Sequence, residues 1–113
     1  AVFSFDIQAA RISTHLALVY DWIYDYMDKG QRDRIRGALL EQGILPVRGN
    51  YDYHWWASAH RCNWSGICFS GVGMASLALL KEDPQLMDAI EHSYEGVSLM
   101  LDELGVDGGW QEG

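Results

Sequence analysis

Apolar residues recur at steps of three and four along the first part of this 113-residue chain, a period that predicts helices and not strands. The first run extends from residue 7 to about residue 27, and its apolar positions are Ile12, Leu16, Val19, Ile23 and Tyr26. A shorter run follows Gly30 over residues 31–42, and Gly43 is placed to end it as a C-cap. The two runs predict an antiparallel helical hairpin.

The second half of the chain predicts another pair of helices after a long loop. Residues 44–62 lack a helical period, contain proline, glycine and asparagine, and are predicted to form an ordered loop. Residues 64–80 are small and apolar, which suits a closely packed helix. A fourth helix is predicted to start at Pro84, since proline is favoured at the first helical position, and to end at Gly105. We therefore expect an all-α fold of successive helical hairpins, as in toroids and solenoids.

The composition excludes several classes of protein. Hydrophobic residues make up 49% of the chain and aromatic residues 12%, which is too many for a disordered acidic tail. No apolar run approaches the roughly 20 residues that a membrane-spanning helix needs. The formal net charge is −8, from 16 acidic and 8 basic residues, and phosphate neutralisation needs a basic surface. We expect no nucleic-acid partner and no membrane span.

Charged and aromatic residues are segregated along the sequence. Beyond Lys81 there are nine acidic side chains and no basic one, whereas residues 47–64 carry Arg48 and Arg61 against Asp52 alone. The same stretch holds five aromatic residues and two histidines: Tyr51, Tyr53, Trp55, Trp56, Trp64, His54 and His60. Aromatic faces stack on sugar rings and arginine binds carboxylates, so this loop favours a carbohydrate site. The alternative is that its tryptophans only pack the loop onto the helices.

Three short motifs give the chain a resemblance to a known family. They are Tyr20-Asp21-Trp22-Ile23-Tyr24, Asn63-Trp64, and Asp107-Gly108-Gly109-Trp110-Gln111-Glu112-Gly113. In their order and spacing, over nearly the whole chain, they resemble the heparinase II/III-like and alginate-lyase group of polysaccharide lyases. The resemblance implies an incomplete α/α toroid of helical hairpins, usually followed by a β-sandwich domain. On that basis residues 1–113 are expected to be a single helical segment of a larger α/α toroid catalytic domain.

The resemblance also implies a reaction, the β-elimination of a uronic-acid polymer such as alginate or a heparin-like glycan. The proton at C5 is only weakly acidic, so the adjacent carboxylate must be neutralised before a base removes that proton. Asn63 fits the neutralising role, and His60 is the nearest histidine to act as the base, with His54 as the reserve. Cys62 and Trp64 flank the asparagine, where some relatives place a histidine.

Further residues near this stretch are expected to bind substrate. They are Tyr53, Trp55, Trp56, Arg61, Trp64 and Glu112. The family tyrosine is expected just past Gly113, so the chain by itself is expected to be inactive and to need the remainder of its own longer chain. An anionic polysaccharide is the expected partner, in the periplasm or outside a bacterial cell.

Two other functions are compatible with the same residues. A glycoside hydrolase built on an α/α barrel needs two carboxylates that flank the scissile bond, and Asp107 and Glu112 are candidates for them. A non-catalytic helical module would instead bind glycans or a partner protein through the surface of Trp55 and Trp56.

The cysteine spacing does not predict a metal or redox site. Cys62 and Cys68 are six residues apart, which matches neither a redox pair nor a zinc knuckle, so both are predicted to be free thiols. A zinc site built from His54, His60 and Cys62 would lack a ligand pair at the usual spacing. We expect no metal and no cofactor.

Overall fold

The computed structural model describes residues 4–112, and within them all regular structure is helical. The four α-helices are α1 (Ile7–Trp22), α2 (Lys29–Ala38), α3 (Asn63–Leu79) and α4 (Met87–Leu101). A π-helical segment, Leu39–Ile44, continues α2, and short 3-10 turns occupy Tyr24–Tyr26, Tyr51–Tyr53, Trp55–Ala57 and Pro84–Leu86. The prediction of an all-α fold is confirmed.

Aspartates begin three of the helical stretches. The Asp6 carboxylate accepts a hydrogen bond from the Ala9 N–H at 2.9 Å and starts α1. Asp28 starts α2 through a capping box: its carboxylate accepts from the Gln31 N–H, and the Gln31 side-chain oxygen accepts from the Asp28 N–H. Asp83 accepts from the Gln85 N–H at the turn that leads into α4. Each acceptor satisfies a backbone donor that the first helical turn leaves without an internal partner.

The first helix ends at Trp22, five residues earlier than predicted. The Tyr24 carbonyl accepts from Arg32 Nε at 2.8 Å, and the guanidinium lies 4.0 Å from the centroid of the Tyr24 ring. Arg32 therefore stabilises a turn at this point in place of another helical turn. The apolar period alone could not reveal this contact, since it joins the turn to the next helix.

The prediction that Gly43 is a C-cap is wrong. Gly43 lies inside the π-helical segment and is buried, and a Cβ on it would lie 2.9 Å from Ser13 Oγ. The glycine therefore allows this segment to approach α1 closely, and the helical path continues to Ile44. The chain then enters the predicted loop, in which two 3-10 turns replace irregular backbone.

The helices form two antiparallel hairpins whose first members lie side by side. At the start of α1, Phe5 packs on Trp56, and Gly71 of α3 meets Ala10 so closely that a Cβ would be 2.7 Å from the Ala10 Cα. At the other end, Tyr20 donates a hydrogen bond to Glu82 at 2.5 Å, so α1 and α3 run in the same direction. The small residues of α3 were predicted to allow close packing, and Gly71 does so against α1.

The fourth helix runs back along α3. Gly66, near the start of α3, faces Met100 near the end of α4, and Gly96 of α4 faces Phe69. The α3–α4 hairpin thus repeats the arrangement of α1 and α2. One buried cluster, around Trp56, Phe69 and Val72, supports the start of α3, where the predicted site residues lie.

Candidate functional site

The N-terminus of α3 receives the C-terminal segment of the chain, residues 105–112. The backbone N–H of Asn63 donates a hydrogen bond to Glu112 Oε2 at 2.5 Å, across 49 residues of sequence. Next to it, Gln111 Nε2 donates to the Arg61 carbonyl at 2.8 Å. Two of the three motifs that carry the family resemblance are therefore in direct contact. The first motif is elsewhere, because Tyr20 contacts Glu82 beyond the far end of a helix about 25 Å long.

A tight turn directs the C-terminal segment back onto α3. The Gly105 N–H donates to the Gly109 carbonyl at 2.8 Å, and the Asp107 carboxylate accepts from the Gly109 N–H at 2.9 Å. Gly108 has a φ of 81°, which side chains other than glycine rarely adopt. The glycines of this motif therefore serve the turn, and the turn brings Gln111 and Glu112 to the helix.

The Glu112 carboxylate supplies the cap that α3 lacks locally. Cys62 occupies the N-cap position, and its side chain makes no capping hydrogen bond. A carboxylate at a helix N-terminus satisfies a free N–H and interacts favourably with the helix dipole. In this structure Glu112 thus has a positioning role at the site. The Asn63 Oδ1 accepts a hydrogen bond from Cys62 Sγ at 3.8 Å, which leaves the Nδ2 group of the amide to donate to a ligand.

Arg61 lies beside Asn63 and is largely exposed. Its Nε is 2.9 Å from Glu103 Oε2, and the side chain is 73% exposed. A surface ion pair of this kind is worth at most about 1 kcal/mol, so an anionic ligand can compete for the guanidinium. Glu103 was not among the sequence candidates, since no motif or spacing links it to residue 61.

An aromatic pair, Trp55 and Trp64, lies at the same end of α3, and Tyr53 precedes it in the loop. We call Tyr53, Trp55 and Trp64 the aromatic patch. Trp55 is 58% exposed, and its ring centroid is 5.1 Å from that of the half-buried Trp64. Tyr53 is 63% exposed. The rings of Tyr53 and Trp55 have the exposure that stacking on a sugar requires.

Trp56 and His54 have a different position, in the core. Trp56 is only 1% exposed, its Nε1 donates to the Phe5 carbonyl at 2.9 Å, and its ring packs on Phe69. His54 is buried, and its Nε2 lies 2.8 Å from the Pro46 carbonyl. Both rings attach the loop to the helices, as the structural alternative for the tryptophans predicted, and neither presents a face to a ligand.

His60 is half-buried, and its Nδ1 is enclosed without a hydrogen-bond partner among the described residues. A buried imidazole nitrogen without a partner is uncommon, because burial of a polar group without a hydrogen bond costs free energy. This makes His60 the histidine in the loop whose ring is not fully used by the fold.

An apolar pocket of about 340 Å³ opens next to Asn63. It is lined by Asn63, Gly66, Ile67, Ser70, Met100, Leu104 and Trp110. Trp110 belongs to the third motif but was not predicted to bind a ligand. Trp110 lies at this pocket because the C-terminal segment packs against α3. The periodicity of apolar residues does not predict that contact.

Both cysteines are free thiols in the structure. Burial raises the pKa of the Cys68 thiol to about 12, which makes it a poor nucleophile at neutral pH. Among residues 4–112 no group of three or more histidine, cysteine or acidic side chains is arranged to hold a metal ion.

Comparisons with known proteins assign no family to the chain, so a functional assignment depends on the site itself. No protein-family model matches the chain, and no curated protein matches it either. Within the described part of the chain, every helix is too short or too polar to cross a membrane.

Proposed function

We propose that this chain is a helical section of the catalytic domain of a polysaccharide lyase and that it recognises a uronic-acid polymer at the N-terminus of α3. The observation that carries the proposal is the contact between Asn63 and Glu112, which joins the second and third family motifs. A chance resemblance in three short motifs gives no reason for two of them to meet in space. The proposed location is the periplasm or the outside of a bacterial cell.

The proposed architecture is part of an incomplete α/α toroid. Two antiparallel hairpins with parallel first helices are the repeating unit that such a fold needs. Support also comes from apolar side chains on the outer surfaces of both hairpins, which are Ile12, Val19, Trp22, Ile23, Leu77 and Tyr94. Further hairpins, supplied by the remainder of a longer chain, would cover these side chains.

In the proposed reaction the Asn63 amide donates hydrogen bonds to the uronate carboxylate. This interaction stabilises the charge that develops when the C5 proton leaves, and Arg61 adds a positive charge nearby. His60 is the proposed base, as the histidine nearest to Asn63 in the sequence, and with Nδ1 enclosed the proton would go to its Nε2. The acid that protonates the leaving oxygen is the tyrosine expected beyond Gly113. The aromatic patch holds neighbouring sugar rings by stacking.

Glycoside hydrolysis is the second candidate, because the structure brings carboxylates to the same place. Glu103 contacts Arg61, and Glu112 contacts Asn63. Asp107, the other predicted carboxylate, instead accepts a hydrogen bond inside its own turn. A hydrolase would need both glutamates free to act as acid and as base or nucleophile.

The test is to incubate the intact protein with a panel of uronic-acid polymers and of neutral glycans. The lyase proposal predicts new ultraviolet absorbance from unsaturated uronate ends, appearing together with new reducing ends. Reducing ends without unsaturation would support the hydrolase. Binding of a glycan without any new ends would support a non-catalytic binding module and contradict both enzyme proposals.

A further inference from the structure

The pocket beside Asn63 has the size and lining of a small-molecule site. Its volume of about 340 Å³ is at the lower end of the range for such sites and is enough for a single sugar ring. Its polar side-chain groups are those of Asn63 and Ser70 and the indole N–H of Trp110, and none of the lining side chains carries a charge. The pocket therefore suits an apolar face of a ligand and not a charged group.

Two hydrogen bonds hold Trp110 at this pocket. Gln111 and Glu112, the next two residues, are bound to the Arg61 carbonyl and the Asn63 N–H. The indole is half-buried against the start of α3 and the end of α4. Because these bonds come from its neighbours, the ring itself is free to contact a ligand.

Another part of the pocket lining is a close contact between α3 and α4. A Cβ on Gly66 would lie 2.2 Å from Met100 Sδ, so glycine lets the methionine rest on α3. The indole of Trp110 and the thioether of Met100 both line the pocket and give it apolar surface. A sugar ring has two apolar faces of C–H groups, and such faces stack on aromatic rings.

We propose that this pocket is a subsite for one pyranose ring of the glycan, with Trp110 as the stacking residue and Asn63 at its rim. The inference rests on the proposed binding of a uronic-acid glycan at this end of α3. The uncharged lining accepts the ring, and the ring's carboxylate stays at the rim near the Asn63 amide and Arg61. An apolar protein side chain would leave the rim amide without a partner, whereas sugar hydroxyls and carboxylates satisfy it.

The nearby acidic side chains each have a hydrogen-bonding partner outside the pocket. Glu103 is paired with Arg61, Glu112 accepts from the Asn63 N–H, and Asp107 accepts from the Gly109 N–H. None of the three lines the pocket. The occupant therefore meets an uncharged wall, with the acidic groups already engaged outside it.

The test is calorimetric titration of the intact protein with a defined oligosaccharide of the polymer it cleaves or, if it cleaves none, with alginate and heparin oligosaccharides. Trp110→Ala is expected to weaken binding by roughly tenfold, since an aromatic contact and its buried area are lost. Trp110→Phe keeps a ring and is expected to retain most of the affinity. Tyr26→Ala is the control, because Tyr26 is 89% exposed and lies in the turn after α1, away from the pocket.

A wild-type dissociation constant for Trp110→Ala, or an equal loss for Tyr26→Ala, would overturn the subsite. If Trp110→Ala does not fold, as judged by circular dichroism, Ser70→Trp gives a second test. Ser70 is exposed and lines the pocket, so a large side chain there is expected to block the ring. Trp110-dependent binding without turnover would contradict the lyase and support the subsite. If turnover and binding are unchanged in Trp110→Ala and in Ser70→Trp, the subsite is contradicted and the lyase proposal is not.

Discussion

The carboxylate of Glu112 lies 2.5 Å from the backbone nitrogen of Asn63 and caps a helix that begins 49 residues earlier in the chain. The contact uses the backbone of Asn63 and not its side chain. The amide that we propose to bind substrate is thus held at a fixed helix end and stays free to act. The contact also allows the structural and the chemical roles of this end of α3 to be tested separately.

Removal of the Glu112 carboxylate is expected to destabilise the protein modestly. Glu112→Ala takes away the acceptor of the Asn63 N–H, and loss of a helix cap costs about 1 kcal/mol. Urea unfolding measures this change. Glu112→Gln keeps an acceptor oxygen and is expected to lose less, while Glu91→Ala changes an exposed residue on α4 as a control. Equal stability of Glu112→Ala and Glu91→Ala would show that the cap contributes nothing.

The adjacent tryptophans Trp55 and Trp56 are expected to respond very differently to substitution. Trp56→Ala removes a buried ring and its hydrogen bond to the Phe5 carbonyl, and the expected cost is about 3–5 kcal/mol. Trp55→Ala removes an exposed ring that touches Trp64, and the expected cost is about 1 kcal/mol or less. Chemical unfolding of the two variants checks the prediction, which fails if Trp55→Ala is the more damaging change.

Two glycines give opposite predictions for the same substitution. Gly71→Ala places a Cβ 2.7 Å from the Ala10 Cα, so α1 and α3 must separate, and overpacking of this kind costs about 1–3 kcal/mol. At Gly37, inside α2, a Cβ meets nothing within 4 Å. Gly37→Ala is therefore expected to stabilise the protein by about 0.5–1 kcal/mol. Thermal unfolding compares them, and a stabilising Gly71→Ala would contradict the close contact between α1 and α3.

The free energy of unfolding is expected to fall in alkaline solution. Burial, together with the hydrogen bond to Glu82, raises the pKa of the Tyr20 hydroxyl above its ordinary value. A raised pKa means that the folded state holds the proton more tightly than the unfolded state does. The contribution of Tyr20 to the free energy of unfolding is therefore complete below about pH 10 and is lost as the pH rises further. Burial raises the pKa of the Cys68 thiol to about 12, and its contribution has the same sign, lost as the pH rises from about 9 toward 12.

Urea unfolding at a series of pH values checks the contribution of Tyr20. Tyr20→Phe is expected to show a smaller loss of stability above about pH 10 than the wild type does. Tyr26→Phe is the control, since Tyr26 is 89% exposed. An unchanged pH dependence in Tyr20→Phe would show that this hydroxyl does not contribute.

The sequence predicted the helices well where a periodic apolar face or a small-residue stretch defines them. The starts and ends of helices depended on contacts with distant residues and were less predictable. Arg32 ends the first helical region through the Tyr24 carbonyl, and Gly43 allows a close approach to Ser13 within a continuing helical path. Both effects require knowledge of which helices are neighbours, and a one-dimensional pattern does not give it.

Predictions for the candidate site were likewise limited where they depended on spatial contacts. Residue type correctly indicated which loop carries the exposed rings of Tyr53 and Trp55. It could not separate Trp55 from Trp56, because adjacent residues of one type differ only in which side of the loop they occupy. The capping role of Glu112 was not predicted for α3, since carboxylates usually cap the helix that follows them in sequence.

The most direct test of the proposed function is the rate of unsaturated-uronate formation by the intact protein carrying Asn63→Ala. The backbone N–H that Glu112 binds survives this change, so α3 is expected to remain capped and the melting temperature to stay near that of the wild type. Loss of the amide that stabilises developing charge is expected to slow turnover by roughly 100-fold. Asn50→Ala, at the chain's other asparagine, is expected to keep the wild-type rate. A folded Asn63→Ala protein with the wild-type rate would contradict the account.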